Sequence, residues 1–396
     1  MYASMWSYPW DYVDIGMDNA LDELQSIGLN DVSLITSYHA GRFLQIRSPK
    51  RKAYFPQDGV LYYNADPENF KHLRIKPKVG EFAKDHPDFF HELTQKSKNR
   101  GMTVSGWTVC LHNTRIGYEY PEVCVHNAFG DTVYYNQCPA NEHVRQYILA
   151  LLADIDQNLP LCSIQLESMN YMGFAHEYHH EKDGVGISAY EDFLLSLCFC
   201  RSCMQAGNAA GIDMTAVQEY VKEQICECLN SDRKEIQSCR FSSEGLSFFK
   251  DNPEMLAYLK QRSRTVTSLM AEARKHVHHS QLYFLSLLTN LDSWLFGVDL
   301  VEISKFCDGV VICSYDCDEE KAAGDVYTSR GVFNPGTKII TGMRAFYPEY
   351  ANGDQFVSKV QSVLNESRDG FIFYNYGLIP KKQLEWVARA MEVTKR

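Results

Sequence analysis

Gly309-Val-Val-Ile-Cys-Ser-Tyr315 is a short, nearly continuous apolar run, and a polar helical stretch opens just behind it at Asp318-Glu-Glu320. A run of this kind suits a strand buried on both faces, as in a parallel sheet whose crossover helices lie outside it. Working outward from it, the same unit recurs along the chain. The apolar runs are Met1–Tyr8, Val32–His39, Thr103–His112, Ser163–Ser168, Gln281–Leu287, Gly309–Tyr315, Lys338–Phe346 and Gly370–Leu378. Helical patterns follow them at 17–27, 84–99, 141–157, 188–208, 293–305, 318–324, 354–367 and 381–394. Eight strand–helix repeats predict the α/β class and a (β/α)8 TIM barrel occupying residues 1–396 as a single domain. An open dinucleotide-binding sheet fits less well, because no GxGxxG follows the first run. Long loops are expected at 40–83 and 113–140, after strands two and three, on the side where barrels build active sites. A helical insertion is expected at 209–278, between strands four and five.

The chain has 396 residues, of which 45% are hydrophobic, 22% charged and 13% aromatic. These figures exclude a disordered chain, a collagen-like repeat and a small cysteine scaffold. The net charge of -11 argues against a nucleic-acid partner, since phosphate binding wants a basic surface. No stretch reaches the ~18 apolar residues of a membrane span. The first residues lack a basic segment followed by an apolar one, so no secretory signal is expected. A cytoplasmic location follows as the expectation, and the 13 cysteines then read as reduced thiols or metal ligands rather than a disulfide frame.

Cys198-Phe-Cys-Arg-Ser-Cys203 sets three thiols within six residues. Three such ligands can converge on one ion, and a tetrahedral zinc site needs a fourth. Cys138, in Gln137-Cys-Pro-Ala140, is the best candidate for it. A closed four-cysteine site has no open position for chemistry, so this zinc would be structural. The competing reading is four buried thiols acting as small apolar residues. Cys226 and Cys228 sit in a helical pattern that points them apart, and they read as ordinary helix residues.

The order of a strand, a Cys-Pro, a helix, a strand ending in a carboxylate and a CxCxxC resembles a known family. It is similar to the zinc-containing β-galactosidase-like barrel glycoside hydrolases and to related uncharacterised bacterial homologues. The resemblance covers about residues 100–210 and rests on Cys138-Pro-Ala-Asn-Glu-His-Val-Arg145, Gln165-Leu-Glu-Ser-Met-Asn170 and Cys198–Cys203. It implies a (β/α)8 barrel, four thiolates on zinc, and an acid/base glutamate ending strand four, which Glu167 matches. The pattern departs from the family at two places. Leu166-Glu167 stands where the family has Asn-Glu, and strand seven, Ile339-Ile-Thr-Gly-Met-Arg344-Ala-Phe346, has no glutamate where the family has its nucleophile. Related barrels often assemble, so a homo-oligomer stays open.

Glycoside hydrolysis commonly uses two carboxyl groups, one to donate a proton and one to attack or activate water. Glu167 is the first candidate, against a barrel-rim salt bridge. Asp316, ending strand six, is the second, against a helix cap before Asp318-Glu-Glu320. Asp11, Asp131 and Glu349 are spares. Trp6, Trp10, His39, Arg42, Trp107, His112, Arg115, Asn170, Arg344, Tyr374 and Asn375 end strands or start loops on the same side. Together they offer the ring faces and polar groups that hold a small carbohydrate. Arg42 and Arg344 could also take a sugar carboxylate. His180, in His176-Glu-Tyr-His-His-Glu-Lys182, overhangs the same end as a substrate contact or metal ligand. HExxH, P-loop and GxSxG motifs are absent, which removes support for metalloproteases, nucleotide kinases and serine hydrolases. A glycoside hydrolase is the leading expectation. The alternatives are a metal-dependent sugar or sugar-acid lyase or isomerase using His39, His112 and Glu167, and a non-catalytic sugar-binding barrel.

Overall fold

The computed structural model describes residues 1–176, 180, 182, 184–232, 234–288 and 291–395. Each expected run holds a barrel strand, the second starting one residue early at Asp31: β1 Tyr2–Ser7, β2 Asp31–Tyr38, β3 Thr103–Val109, β4 Ser163–Glu167, β5 Gln281–Ser286, β6 Gly309–Cys313, β7 Lys338–Arg344 and β8 Gly370–Tyr374. All neighbours pair in parallel, and β1 pairs with both β8 and β2, so the sheet closes into a (β/α)8 barrel. Closure explains why the runs read as continuously apolar: one face meets the helices and the other meets the opposite wall.

The two faces separate by residue parity. Ala3, Met5, Val32, Leu34, Val104, Ile164, Leu166, Phe284, Val310, Ile312, Met343, Phe371 and Phe373 lie in the core shared with the outer helices. Trp6, Ile35, Trp107, Leu285, Val311, Cys313, Ile340 and Ile372 fill the barrel interior. Polar groups line its floor. Asp31 accepts hydrogen bonds from Tyr2 Oη (2.8 Å), Ser4 Oγ (2.6 Å) and Thr103 Oγ1 (2.6 Å). One layer higher, Gln165 Oε1 accepts from Trp6 Nε1 at 2.8 Å and Ser33 Oγ at 2.9 Å. Every buried polar atom named here has a partner, as burial demands.

Several helices differ from expectation. The 84–99 helix is two, Glu81–Asp85 and Phe89–Lys98, divided at Pro87, which cannot continue the backbone ladder. The 188–208 helix is also two, Ala189–Leu195 and Arg201–Ala209, with Cys198 and Cys200 in the turn between them. The 293–305 stretch shrinks to a 3-10 turn at Ser293–Phe296, one helical turn at Leu300–Ile303 and a second 3-10 turn at Ser304–Phe306. Glu319–Val332 runs past Gly324, where a helix end had been expected.

Residues 209–278 hold the helices Met214–Asn230, Lys234–Glu244 and Pro253–Arg274. The last of these serves two cores. Val266, Leu269, Met270 and Ala273 join the core around the barrel, and the helix packs against Glu142–Asn158 in the outer ring. Met255, Tyr258 and Leu259 join a second core with Tyr190, Phe193, Val221, Phe241 and Phe249. Among the described residues, no helix is long and apolar enough to cross a membrane.

Candidate active site at the barrel mouth

Glu167 is the last residue of β4 and shares the inward parity of Ser163 and Gln165. Trp107, one inward layer lower on β3 and level with Gln165, donates its indole Nε1–H to the Glu167 carboxylate. Aromatic rings continue from there. Trp6 lies 5.7 Å from Trp107 and 6.1 Å from Tyr374, and Tyr38 meets Trp107 edge-on at 5.1 Å. Tyr8 stacks on Trp10 at 4.6 Å, and Phe43, carried over by the 40–83 loop, closes against Tyr8 at 4.9 Å. This chamber half-buries the carboxyl. Burial pushes the Glu167 pKa up to about 7, against the opposing hydrogen bond from Trp107. A carboxyl so placed is partly protonated at neutrality and can both give and take a proton. Ser168 follows with a φ of 53°, which turns the chain sharply off the strand.

Asp316 is placed differently. Val311, Cys313 and Tyr315 carry the inward parity of β6, so Asp316 falls on the outward one and is exposed. Its Oδ2 lies 3.1 Å from Lys321 Nζ and its Oδ1 lies 3.5 Å from the buried Lys359 Nζ. Partial burial would raise its pKa, but the Lys321 hydrogen bond and the Lys359 charge outweigh this and hold it below the usual range. The helix cap is Asp318, which accepts from Lys321 N, rather than Asp316. Arg344 closes β7 with inward parity. Its guanidinium lies over Tyr315 at 4.7 Å, and its Nη2 is 2.6 Å from Glu349 Oε1. Tyr315 lies 6.0 Å from Tyr374, so the Arg344–Glu349 pair adjoins the same aromatic wall as Trp6 and Trp107.

The histidines stack rather than converge. His39 lies on His112 at 4.1 Å with the rings 19° apart, and His176 meets His112 edge-on at 4.9 Å. Burial, with the His176 charge, lowers the His112 pKa to about 3, so its imidazole is neutral. Among the described residues, His39, His112 and Glu167 do not form a convergent ligand set; the four cysteines do. His180 and Arg42 are exposed.

Other expected contacts are engaged in holding loops. Arg115 pairs with Glu119 at 2.6 Å and donates to Gly59 O. Asn170 Nδ2 donates to Tyr171 O at 2.6 Å, and Asn375 Oδ1 accepts from Gly377 N at 3.1 Å. Tyr8, Tyr38 and Tyr315 were missed as chamber residues; counting by twos from Trp6 and Cys313 would have found Tyr8 and Tyr315, whereas Tyr38 turns inward through an irregularity between Ile35 and Ser37. Asp11 is buried in the first turn of the helix Pro9–Ile15, where it accepts from Tyr8 N at 2.9 Å, and burial lifts its pKa to about 7.

Beside this mouth lies the thiol cluster. Cys138 Sγ is 3.4 Å from Cys203 Sγ, 3.5 Å from Cys200 Sγ and 3.8 Å from Cys198 Sγ. All four sulfurs lie within 4.8 Å of one another and all four residues are buried. A zinc ion bound at ~2.3 Å to four sulfurs would have S···S edges of about 3.8 Å, so the cluster fits a tetrahedral ion of that size. Among the described residues every cysteine is free of disulfide.

No family sequence model and no curated protein sequence matches the chain. Solved structures do. Its structural neighbours are glycoside hydrolases. The glycoside hydrolase domain of PgaB (BpsB) from Bordetella bronchiseptica aligns over 100% of this chain and 98% of its own, with a TM-score of 0.59 and 11% identity. The β-galactosidase of the psychrophilic Marinomonas ef1 aligns with a TM-score of 0.59 at 10% identity, and that of the haloarchaeon Halorubrum lacusprofundi with 0.60 at 12%. Each of the two covers 100% of this chain, which spans 60% and 58% of their respective lengths. At such identities the likeness is one of fold, and the site chemistry must be argued from the side chains.

Proposed function

We propose that the protein is a glycoside hydrolase acting on a small glycoside or oligosaccharide, with Glu167 transferring the proton. The observation that carries this reading is the Glu167 carboxyl, inward-facing, walled by aromatic rings and shifted to about 7 by burial. In the protonated state it can donate to the departing glycosidic oxygen, and as the carboxylate it can take a proton from water. Tyr315 and Tyr374, half-buried above the enclosed Trp6 and Trp107, supply ring faces on which a pyranose can stack.

For the second carboxylate of the expected pair, orientation favours Glu349 over Asp316. Glu349 is tied to the inward Arg344, whereas Asp316 is engaged with Lys321 and Lys359 outside the chamber. Cys138, Cys198, Cys200 and Cys203 would hold a structural zinc, which supplies fold stability rather than chemistry. We read the chain as one barrel domain with a helical insertion. The presence of Arg344, rather than a glutamate, at the end of β7 favours a second reading, a sugar-binding barrel without turnover. A panel of activated aryl glycosides separates the two. Turnover that falls steeply in Glu167→Gln, and is least affected on the best leaving groups, supports the hydrolase. Binding without turnover by the unaltered protein overturns it.

A further inference from the structure

Arg262 is 1% exposed, on the helix Pro253–Arg274. Its Nη1 donates to Leu295 O at 3.2 Å, while Nε and Nη2 are buried with no hydrogen-bond partner among the described residues. None of its nitrogens therefore bonds a carboxylate of the described residues. A buried cation without an anion is strongly disfavoured. Two ring faces, Tyr171 at 4.6 Å and Phe193 at 5.8 Å, offset only part of that cost.

Tyr171 links Arg262 to the thiol cluster. The Tyr171 hydroxyl is 3.4 Å from Cys203 Sγ. One turn before Arg262 on the same helix, Tyr258 donates its hydroxyl to Cys198 O at 2.7 Å. Four thiolates around a divalent ion carry a net charge of about −2. A second feature shows that this contact is built. Gly297 has a φ of +67°, and a Cβ there would come within 2.9 Å of the Tyr171 ring and 3.3 Å of Arg262 Cβ. Only glycine lets the loop close over the pair.

We propose that Arg262 is the counter-cation of a metal–tetrathiolate centre at Cys138, Cys198, Cys200 and Cys203, with Tyr171 as the polarisable bridge between them. Arg262 and a soft divalent ion of the zinc class then need each other. The ion offsets a buried positive charge, and Arg262 stabilises the dianionic centre. Tyr171 lies four residues beyond Glu167, so the same charge pair anchors the segment that leaves the catalytic strand. Arg262 is thus a positioning residue rather than a metal ligand.

The test compares the metal-loaded protein with Arg262→Met and Arg262→Lys. Zinc is titrated against a chromophoric chelator, and thermal unfolding is followed with and without zinc. The unaltered chain should hold one zinc tightly. Arg262→Met should weaken zinc about tenfold to a hundredfold, the range for groups behind a ligand shell. It should also narrow the gap in Tm between loaded and metal-free protein, while Arg262→Lys keeps most of both. Equal losses in the two variants would show that Arg262 acts by packing, and the proposal falls. It falls equally if Arg262→Met retains unaltered affinity, or if the native chain folds without binding zinc. Should Arg262→Met not fold, Arg262→Gln in cobalt-substituted protein reads the same interaction through the sulfur-to-cobalt charge-transfer band. An unshifted band with unaltered cobalt affinity would then overturn it.

Discussion

The Trp107 indole donates its N–H to the Glu167 carboxylate across the β3–β4 junction, where Val109 and Glu167 are register partners. This bond favours the charged form of a carboxyl that burial otherwise keeps neutral. Removing the donor without removing the ring, in Trp107→Phe, should raise the pKa of Glu167 further. The alkaline limb of the kcat/KM profile should move to higher pH, and a limb that stays in place sinks the assignment of that limb to Glu167.

Glu167→Gln should lower kcat by about 10²–10⁴, the usual contribution of a general acid or base. If Glu167 acts as the acid, the native enzyme loses activity as pH rises through about 7 and the acid deprotonates. The glutamine variant should lack that limb while unfolding at nearly the same temperature. A retained limb assigns the ionisation to another group.

Asp316 and Glu349 can be told apart. Glu349→Gln breaks a pair that touches the aromatic wall and should lower activity more than tenfold if Glu349 is the second carboxylate. Asp316→Asn leaves Lys359 short of its counter-charge, although its Nζ keeps Ser314 O at 3.1 Å and Asp316 O at 2.6 Å. A stability loss of about 1 kcal/mol with kcat/KM nearly intact is expected, since the carboxylate is exposed. The reverse ranking in kcat/KM would restore Asp316 as the partner.

Asp11 supplies a pH dependence of stability. Its folded pKa, raised by burial to about 7, exceeds the ordinary 3.8. The folded protein therefore holds a proton that the unfolded chain releases. The resulting stabilisation is complete below about pH 4 and is lost as pH rises to about 7. Asp11→Asn should flatten that part of the Tm profile and stabilise the protein at pH 8, by about 2 kcal/mol. Parallel profiles for the two proteins would show that Asp11 ionises freely.

Metal removal distinguishes a structural from a catalytic ion. A strong chelator, or Cys200→Ser, should lower Tm, and activity should vanish only as the protein unfolds. Activity lost in a chain that remains folded, read by circular dichroism, would point to an ion in the chemistry.

The barrel was legible because its strands are buried on both faces, which writes eight short apolar runs into the chain at a spacing only a βα repeat explains. Cys198, Cys200 and Cys203 were legible as a ligand set for a similar reason: their separation is local, and the CxCxxC turn brings the sulfurs together whatever surrounds it. The inward direction of Glu167 also follows from the parity of β4, although only its place at the strand end had marked it. The same parity, applied beyond Cys313, turns Asp316 outward, although its place just after strand six had marked it as a mouth residue. Helix ends were less legible because packing decides them: Glu319–Val332 passes through Gly324, and the 188–208 stretch breaks where the thiols turn back. The sequence by itself thus determined the strand count, the parallel closure and the cysteine set, all of which rest on local period and burial. Only the tertiary structure decided that Trp107 meets Glu167, that His39 stacks on His112, and that Arg262 lies buried against Tyr171. Those residues are 60, 73 and 91 positions apart, and their environments exist only once the barrel has closed.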